Sequence, residues 1–481
     1  MSILLVNPPR IIEKGNIWKK IDRALPPLGL ACIASYLERN AQNVHILDLQ
    51  AEQMNPDQYK HKIREIRPDF IGITSTTVEI KGALNIAKLS KEILPETKIV
   101  FGGAHPSILP DEVLSDSHVD FVIRGEGERT LHELMTGFKN IDNIKGLSYK
   151  LNGVIKHNPS RLVIENLDEM PMPAYQLLPM DKYKPSLGNY KRLPAISMIA
   201  NRGCPGRCTF CYTGISGKKI RTRSASKLID EIQMLQKDYG IREISFYDDT
   251  FTALQKNITE FCERMIKENI DITWSCMSRV DFVNEKMLRL MKKAGCHQIG
   301  YGLESASPEI LKNIGKSTSL IRIREAVRLT KKAGINVRAM FMLGNPGETE
   351  ETLEQTINFA LGINPDIVIF NITTPLPGTE MYNWAKKNGY LLNVSWDKFD
   401  LANVVMRLPT VSSETIMKSY HYAYKRFYMR PAYIMNCLFK MRSLSDLKNN
   451  VRTFVSLLSF NAERRKDLGD NNVVNTIAPL R

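Results

Sequence analysis

The sequence predicts an α/β protein with an N-terminal flavodoxin- or Rossmann-like parallel-sheet domain, a partial (β/α)6 TIM-type barrel, and a helical C-terminal region. Three observations predict it. Short β-rich runs alternate with helix-patterned stretches in two separate series, and a Pro- and Asn-rich segment divides the series. At 481 residues the chain also exceeds what one core usually organises. The expected division is 1–140 for the first sheet domain, 141–192 for a hairpin and linker, 193–385 for the barrel and 386–481 for the helical region.

The first series has five strand-like runs, SILLVNPP, NVHILDLQ, DFIGITSTT, TKIVFGGAH and DFVIRGEGE. Helical spacing falls near 28–39, 56–66, 79–94, 107–116 and 129–137. Such units predict a sheet covered on both faces, with binding loops at the carboxyl ends of its strands. Small and polar residues gather there: Pro8 and Pro9, then Pro26, Pro27 and Gly29, after the first strand; Ser75 and Thr76 after the third; Gly102, Gly103 and His105 after the fourth; Gly125 to Glu128 after the fifth. The stretch EMPMPAY marks the hairpin and linker.

The second series reads AISMIANRG, REISFYDDTF, DITWSCMSRVD, HQIGYGLES, INVRAMFMLGNPGE and DIVIFNITTPLPGTE. Helical patterns near 224–239, 253–269, 284–295, 308–333 and 349–362 separate these strands. Six units of this kind suit a partial barrel whose chemistry sits at the strand C-terminal ends. Beyond residue 386 the pattern is mostly helical and aromatic, broken at Pro431 and resuming in SLSDLKNNVRTFVSLLSF.

With 43% hydrophobic and 24% charged residues, the composition is that of a soluble globular protein. No run of eighteen apolar residues and no signal-peptide pattern is present, so a cytoplasmic protein is expected. A net charge of +15 admits nucleic acid as a partner, but no zinc-finger, RNP or helix-turn-helix pattern supports one. After residue 412, twelve Lys and Arg face five Asp and Glu, a basic surface open to an anionic substrate, a lipid, a protein partner or plain solvent.

RGCPGRCTFCYTG places Cys204, Cys208 and Cys211 within eight positions. On a helix they would share one face, but Gly203, Pro205, Gly206 and Gly214 make the segment a loop. Three soft thiolates in a loop suit a metal. A zinc site normally takes four ligands and a ferredoxin-type cluster four thiolates, whereas no fourth ligand stands at such spacing. A 4Fe-4S cluster on three cysteines would leave one iron open to a non-protein ligand. Cys32, Cys262, Cys276, Cys296 and Cys437 lack any repeating spacing and are expected to be reduced thiols.

The C-x3-C-x2-C pattern, with Phe210 before its third cysteine, resembles the cluster motif of the radical S-adenosylmethionine (SAM) enzymes. That resemblance implies an open iron chelating SAM, which is cleaved reductively to methionine and a 5′-deoxyadenosyl radical. Carried strand by strand, it implies SAM contacts from Phe210, from Asp248 and Asp249 in YDDTF, from Arg279 toward the carboxylate, and from Glu304 in GLES toward the ribose. Gly344 in GNPGET and Thr374 in TTPLPGTE fall where the family binds adenine and shapes the pocket.

Upstream, VNPPR, PPLGLACIASYLE, GITSTT, GGAHPS and FVIRGEGERTLHEL resemble the N-terminal domain of the cobalamin-dependent radical SAM subfamily, so that the likeness spans residues 1 to about 385. It implies cobalamin held near Gly29, Ser75, Thr76, Gly102, Gly103, Glu126 and Gly127. The D-x-H-x-x-G cobalt-ligand pattern is absent, and His105 reads as a packed or capping residue. The related methylthiotransferases place three more cysteines in this domain, where only Cys32 stands.

The resemblance implies methylation of an unactivated carbon, with a flavodoxin or ferredoxin as electron donor for a low-potential cluster. Cyclisation, dehydration, epimerisation or C–C bond formation without methylcobalamin is the first alternative. A binding or regulatory protein with a structural metal is the second. The small-molecule substrate, whether polyprenyl, lipid, porphyrin-like or another natural product, is not selected by any residue. The basic aromatic tail is a candidate cover for it and for peripheral membrane contact.

Overall fold

The structure, a computed structural model, describes residues 1–10, 24–185 and 190–440, without the side chains of residues 138–139 and 436–440. The first sheet is built from β1 (Ser2–Asn7), β2 (Asn43–Asp48), β3 (Phe70–Thr74), β4 (Lys98–Gly102), β5 (Phe121–Ile123), β6 (Leu147–Leu151) and β7 (Val154–His157). Its order is β2-β1-β3-β4-β5-β6-β7, with the first five strands parallel. This 2-1-3-4-5 arrangement is the flavodoxin-like order, which opens a crevice where the strand order reverses. The unbroken apolar run of β1 fits its place between two neighbours and two helical layers.

Helices α1 (Leu28–Arg39), α2 (Pro56–Ile66), α3 (Ile80–Ile93) and α4 (Glu128–Thr136) cover the sheet. Asn55 and Gln58 form a reciprocal capping box that starts α2, with Pro56 in the first turn. The helix expected at 107–116 is two shorter ones, Ala104–Ile108 and Pro110–Ser115, divided at Pro110. The predicted hairpin exists, but it does not stand between the domains. β6 pairs antiparallel with β5, so the hairpin extends the first sheet.

The second sheet comprises β8 (Ala195–Met198), β11 (Glu243–Phe246), β12 (Thr273–Ser278), β13 (Cys296–Glu304), β14 (Asn336–Leu343) and β15 (Ile367–Ile372), all parallel and adjacent in chain order. It does not close, since β8 and β15 remain its two edges. Two short strands, β9 (Asn201–Arg202) and β10 (Arg221–Thr222), form an antiparallel ribbon just after β8. Helices α5 (Ala225–Tyr239), α6 (Gln255–Lys267), α7 (Glu285–Lys293), α8 (Leu320–Lys332) and α9 (Glu350–Ile363) return the chain between strands. Their apolar faces bury Phe246, Phe251, Phe261 and Trp274 against the sheet.

The single helix expected over 308–333 is interrupted. Pro308–Asn313 ends before Gly315, whose φ of +65° favours glycine, and α8 restarts behind the Ser319 cap. A Cβ on Gly315 would lie 2.5 Å from the Arg207 carbonyl oxygen, so the interruption lets this segment run against the triple-cysteine loop.

After α10 (Glu380–Lys387), residues 388–412 are largely irregular, not helical as the aromatic pattern suggested. Helices α11 (Ser413–Tyr428) and α12 (Pro431–Lys440) then seal the open edge at β15. The Tyr424 hydroxyl accepts from the Phe370 N–H and donates to the Phe370 carbonyl, and Tyr428 does the same at Val368. Tyr433 donates to the Asp366 carbonyl. These three tyrosines of the region are thus spent on backbone groups at an edge strand. The helix expected in SLSDLKNNVRTFVSLLSF, and seven of the twelve Lys and Arg after residue 412, lie outside the described residues. Among the described residues no helix is long and apolar enough to cross a membrane.

Candidate active site at the domain junction

The three cysteines lie in the loop that joins β9 to β10. Gly203 has φ +98°, and a Cβ there would come within 2.3 Å of the Lys219 carbonyl oxygen, so only glycine lets the two limbs of the loop close. The Cys204 N–H donates to the Gly217 carbonyl (3.3 Å) and the Cys211 N–H to the Cys208 carbonyl (3.1 Å). Outside the loop, the Thr209 N–H donates to the Ile314 carbonyl and the Met381 N–H to the Thr209 carbonyl, both at 2.9 Å. The segments that follow β13 and β15 therefore fix the cysteine loop from outside.

A Cβ on Gly206 would lie 3.4 Å from Cys204 Sγ, 3.5 Å from Arg279 Nη1 and 3.8 Å from Cys208 Sγ. The Arg279 guanidinium is consequently beside two of the thiols, with Nη1 3.9 Å from Cys208 Sγ and Nη2 held by Asp281 at 2.8 Å. Burial disfavours its charge, but Asp281 and the thiols of Cys208 and Cys204 outweigh that and raise its pKa.

Glu304 reaches the same place by an irregularity in β13. The register with β14 shifts between Gly302 and Glu304, and Glu304 takes φ +65°. Its carboxylate folds over Gly302, where a Cβ would meet Glu304 Oε1 at 2.3 Å, and pairs with Lys316 Nζ at 3.0 Å. Burial works against the Lys316 charge, yet Glu304 and Cys208 keep its pKa raised. Burial pushes the Cys211 thiol up to about 12, with Cys208 and Glu304 adding to the shift and Lys316 opposing it.

Three soft sulfurs beside two cations fit an anionic iron–sulfur cluster. Among the described residues no group of three or more His, Cys, Asp and Glu is gathered as a single metal ion would require. Thiolates of a four-iron cluster bind different irons and stand further apart.

The other predicted SAM residues are placed differently. Phe210 packs against Leu311, Ile314 and Met381. Gly344, at φ +87°, faces Ile416 of α11, and Thr374 donates to the Ile372 carbonyl. Asp248 is buried, and its Oδ1 accepts the N–H of Ala200 (2.9 Å) and of Asn201, which fixes the chain between β8 and β9. Burial raises its pKa to about 7.

Asp248 and Asp249 also line a cavity of about 330 Å³ between the two sheets. Tyr247, Asn201 and Arg202 join them on the barrel side, and Gly29, Gly102, Gly103, Glu126 and Gly127 form the facing wall. At Gly29 and Gly102 an added Cβ would meet no atom within 4 Å, so the space they leave belongs to the cavity. The open space left by these two glycines would fit a flat corrin, which must approach backbone closely.

Ser75 and Thr76 stand apart from that wall. Ser75 is buried, with its N–H on the Gly102 carbonyl (3.0 Å), and Thr76 is exposed and donates its hydroxyl (2.7 Å) and N–H (3.1 Å) to the Glu79 carboxylate. His105 is packed as expected, 3.3 Å from Thr77 Oγ1 and edge-on to Trp396. Glu126 lines the cavity, but its carboxylate is engaged by Arg202, by Arg221 and by the Ile164 N–H. Sequence reasoning missed Lys316 and Arg202: the first follows no motif, and the second is the opening residue of RGCPGRC, overshadowed by the cysteines.

A three-cysteine loop at the end of the first strand of a partial barrel, facing a glycine-walled cavity in a flavodoxin-like domain, defines an enzyme built for an iron–sulfur cluster and a second, planar cofactor. The radical SAM superfamily model matches residues 198–360, and the B12 binding domain model matches residues 17–135. An uncharacterized methyltransferase of Pyrococcus horikoshii is 39% identical over 92% of this chain and 95% of its own length. The anaerobic magnesium-protoporphyrin IX monomethyl ester cyclase of Rubrivivax gelatinosus is 30% identical over 85% of this chain and 75% of its own. Among solved structures, the cobalamin-dependent SAM radical enzyme OxsB, with aqua-cobalamin and SAM bound, shares the fold at TM-score 0.75 and 20% identity, over 97% of this chain and 71% of that one. The chain belongs to the cobalamin-dependent radical SAM enzymes, whose cofactors are a 4Fe-4S cluster, SAM and cobalamin.

Proposed function

We propose that this enzyme transfers a methyl group from SAM to an unactivated carbon of a small molecule. The observation that carries the reading is one cavity shared by the glycine wall of the cobalamin domain and the segment between the first barrel strand and the cysteine loop. When bound, the reduced cluster supplies reductive cleavage of SAM, and cobalamin supplies a transferable methyl group. The protein's part is to hold the reacting centres in line and exclude water.

Arg279, steadied by Asp281, offers a forked donor set to the carboxylate of SAM beside the thiols. Glu304, steadied by Lys316, offers acceptors to the ribose hydroxyls. Gly29, Gly102, Gly103 and Gly127 would hold cobalamin, since they line one wall of the cavity. Cys204, Cys208 and Cys211 hold the cluster, and a flavodoxin or ferredoxin in the cytoplasm delivers its electron. The acceptor is a natural product or lipid. The hydroxyls of Tyr424, Tyr428 and Tyr433 are engaged by backbone groups at the β15 edge, and lipid or membrane contact is assigned to the remainder of the tail.

Relatedness to a cyclase favours one second reading, ring closure without methyl transfer. Anaerobically reconstituted enzyme, methyl-labelled SAM and fractionated lipid and pigment acceptors distinguish the two. Label in the product is expected, and Cys208→Ala should fold normally yet release no 5′-deoxyadenosine. Release of 5′-deoxyadenosine by the wild type, with an unlabelled product, would establish the second reading.

A further inference from the structure

The loop that carries the cysteines is the tip of a hairpin, and both residues at the base of that hairpin are bolted to the cobalamin domain. Arg202 and Arg221 are register partners across β9 and β10. Arg202 Nη1 donates to Glu126 Oε1 at 3.0 Å, and its Nη2 donates to Glu128 Oε1 at 2.7 Å. Arg221 Nη1 reaches both oxygens of Glu126, at 2.9 and 3.1 Å. Both glutamates and the Arg221 side chain are almost fully buried. Glu126 and Glu128 flank Gly127 on the loop that walls the cavity, and Arg202 lies two residues before Cys204.

We propose that Glu126 is a positioning residue that couples occupancy of the cobalamin cavity to the geometry of the cysteine loop. The Gly125–Glu128 loop bounds the space cobalamin must fill, so cobalamin favours one arrangement of that loop. Rigid, charge-assisted bonds pass that preference to the two ends of the cysteine hairpin. Each cofactor then binds more tightly when the other is in place, by the same factor in both directions. The inference rests on the chain holding both cofactors, and is independent of which carbon is methylated.

The test is equilibrium dialysis of the full chain against hydroxocobalamin, with and without its reconstituted cluster, reading bound cobalt by elemental analysis. In the wild type the cluster should tighten cobalamin at least about fivefold, the lower end of ordinary coupling. Glu126→Gln and Arg202→Lys, which weaken the clamp in different ways, should each reduce that ratio below about twofold. Glu165→Gln removes an exposed ion pair to Lys219 of the same loop, away from the cavity, and should keep the wild-type ratio. A merely structural role would shift both affinities of a clamp variant and leave their ratio unchanged. A wild-type ratio of one, clamp variants that keep the full ratio, or loss of the ratio in Glu165→Gln would each overturn the proposal. If Glu126→Gln does not fold, Arg202→Lys decides.

Discussion

Asp248 ties the chain between β8 and β9 and lines the cavity between the two sheets, and its burial there sets its ionisation. Two backbone N–H groups stabilise its carboxylate, but complete burial outweighs them and raises the pKa from 3.8 to about 7. Between roughly pH 4 and pH 7 the folded state therefore holds a proton that the unfolded chain has released, so stability falls as pH rises through this window. The full penalty, present above it, is at most on the order of 4 kcal/mol. Asp248→Asn keeps the Oδ1 acceptor and removes the charge. Its urea midpoint should exceed that of the wild type at pH 8 and match it near pH 4; the same difference at both values would assign the effect to packing instead. At this scale the cysteines were legible because their ligand spacing is local. Lys316 was not, because its partner Glu304 is aimed by a bulge and a positive φ that no spacing announces.

Among the elements, β15 depends on groups far from it in sequence. As an edge strand it exposes alternate N–H and C=O groups, and α11 answers them with hydroxyls one helical turn apart. Tyr424→Phe removes the partner of two buried backbone groups with almost no loss of volume. It should lower stability by about 1–3 kcal/mol in urea titration, with Tyr428→Phe similar. A loss below about 0.5 kcal/mol would mean that other groups satisfy the strand. The order and period of the barrel strands could be read directly, since each is an apolar run between helical patterns. The division of 308–333 could not, because helical spacing persists on both sides of Gly315 and the break answers a contact with Arg207 more than a hundred residues earlier.

For the whole molecule, the junction is the functional unit. Tyr175 of the linker donates to Glu231 of α5 at 2.7 Å, and the Arg202–Glu126 and Arg202–Glu128 pairs cross the same boundary. These bonds hold the linker and the first domain to the barrel. Gly102→Val should leave the melting temperature within a few degrees of wild type, because the new side chain meets open space and suits a strand. The same change should weaken hydroxocobalamin at least about tenfold, equivalent to about 1.4 kcal/mol. Unchanged binding in spectrophotometric titration would place the corrin elsewhere.

The sequence by itself determined the two alternating series, the spacing of the three cysteines and the glycine-bearing strand ends, because each is a local pattern in a continuous stretch of chain. It also pointed to a cluster with one open iron, since three thiolates lack a fourth ligand; SAM and cobalamin followed only from the resemblance of its motifs to the cobalamin-dependent radical SAM enzymes. Tertiary structure alone decided that the hairpin extends the first sheet, that the tail closes β15, and that Glu126 holds two arginines at the base of the cysteine hairpin. These depend on which loops two separately folded sheets bring within a few ångströms of each other, and that distance is set by packing across the junction.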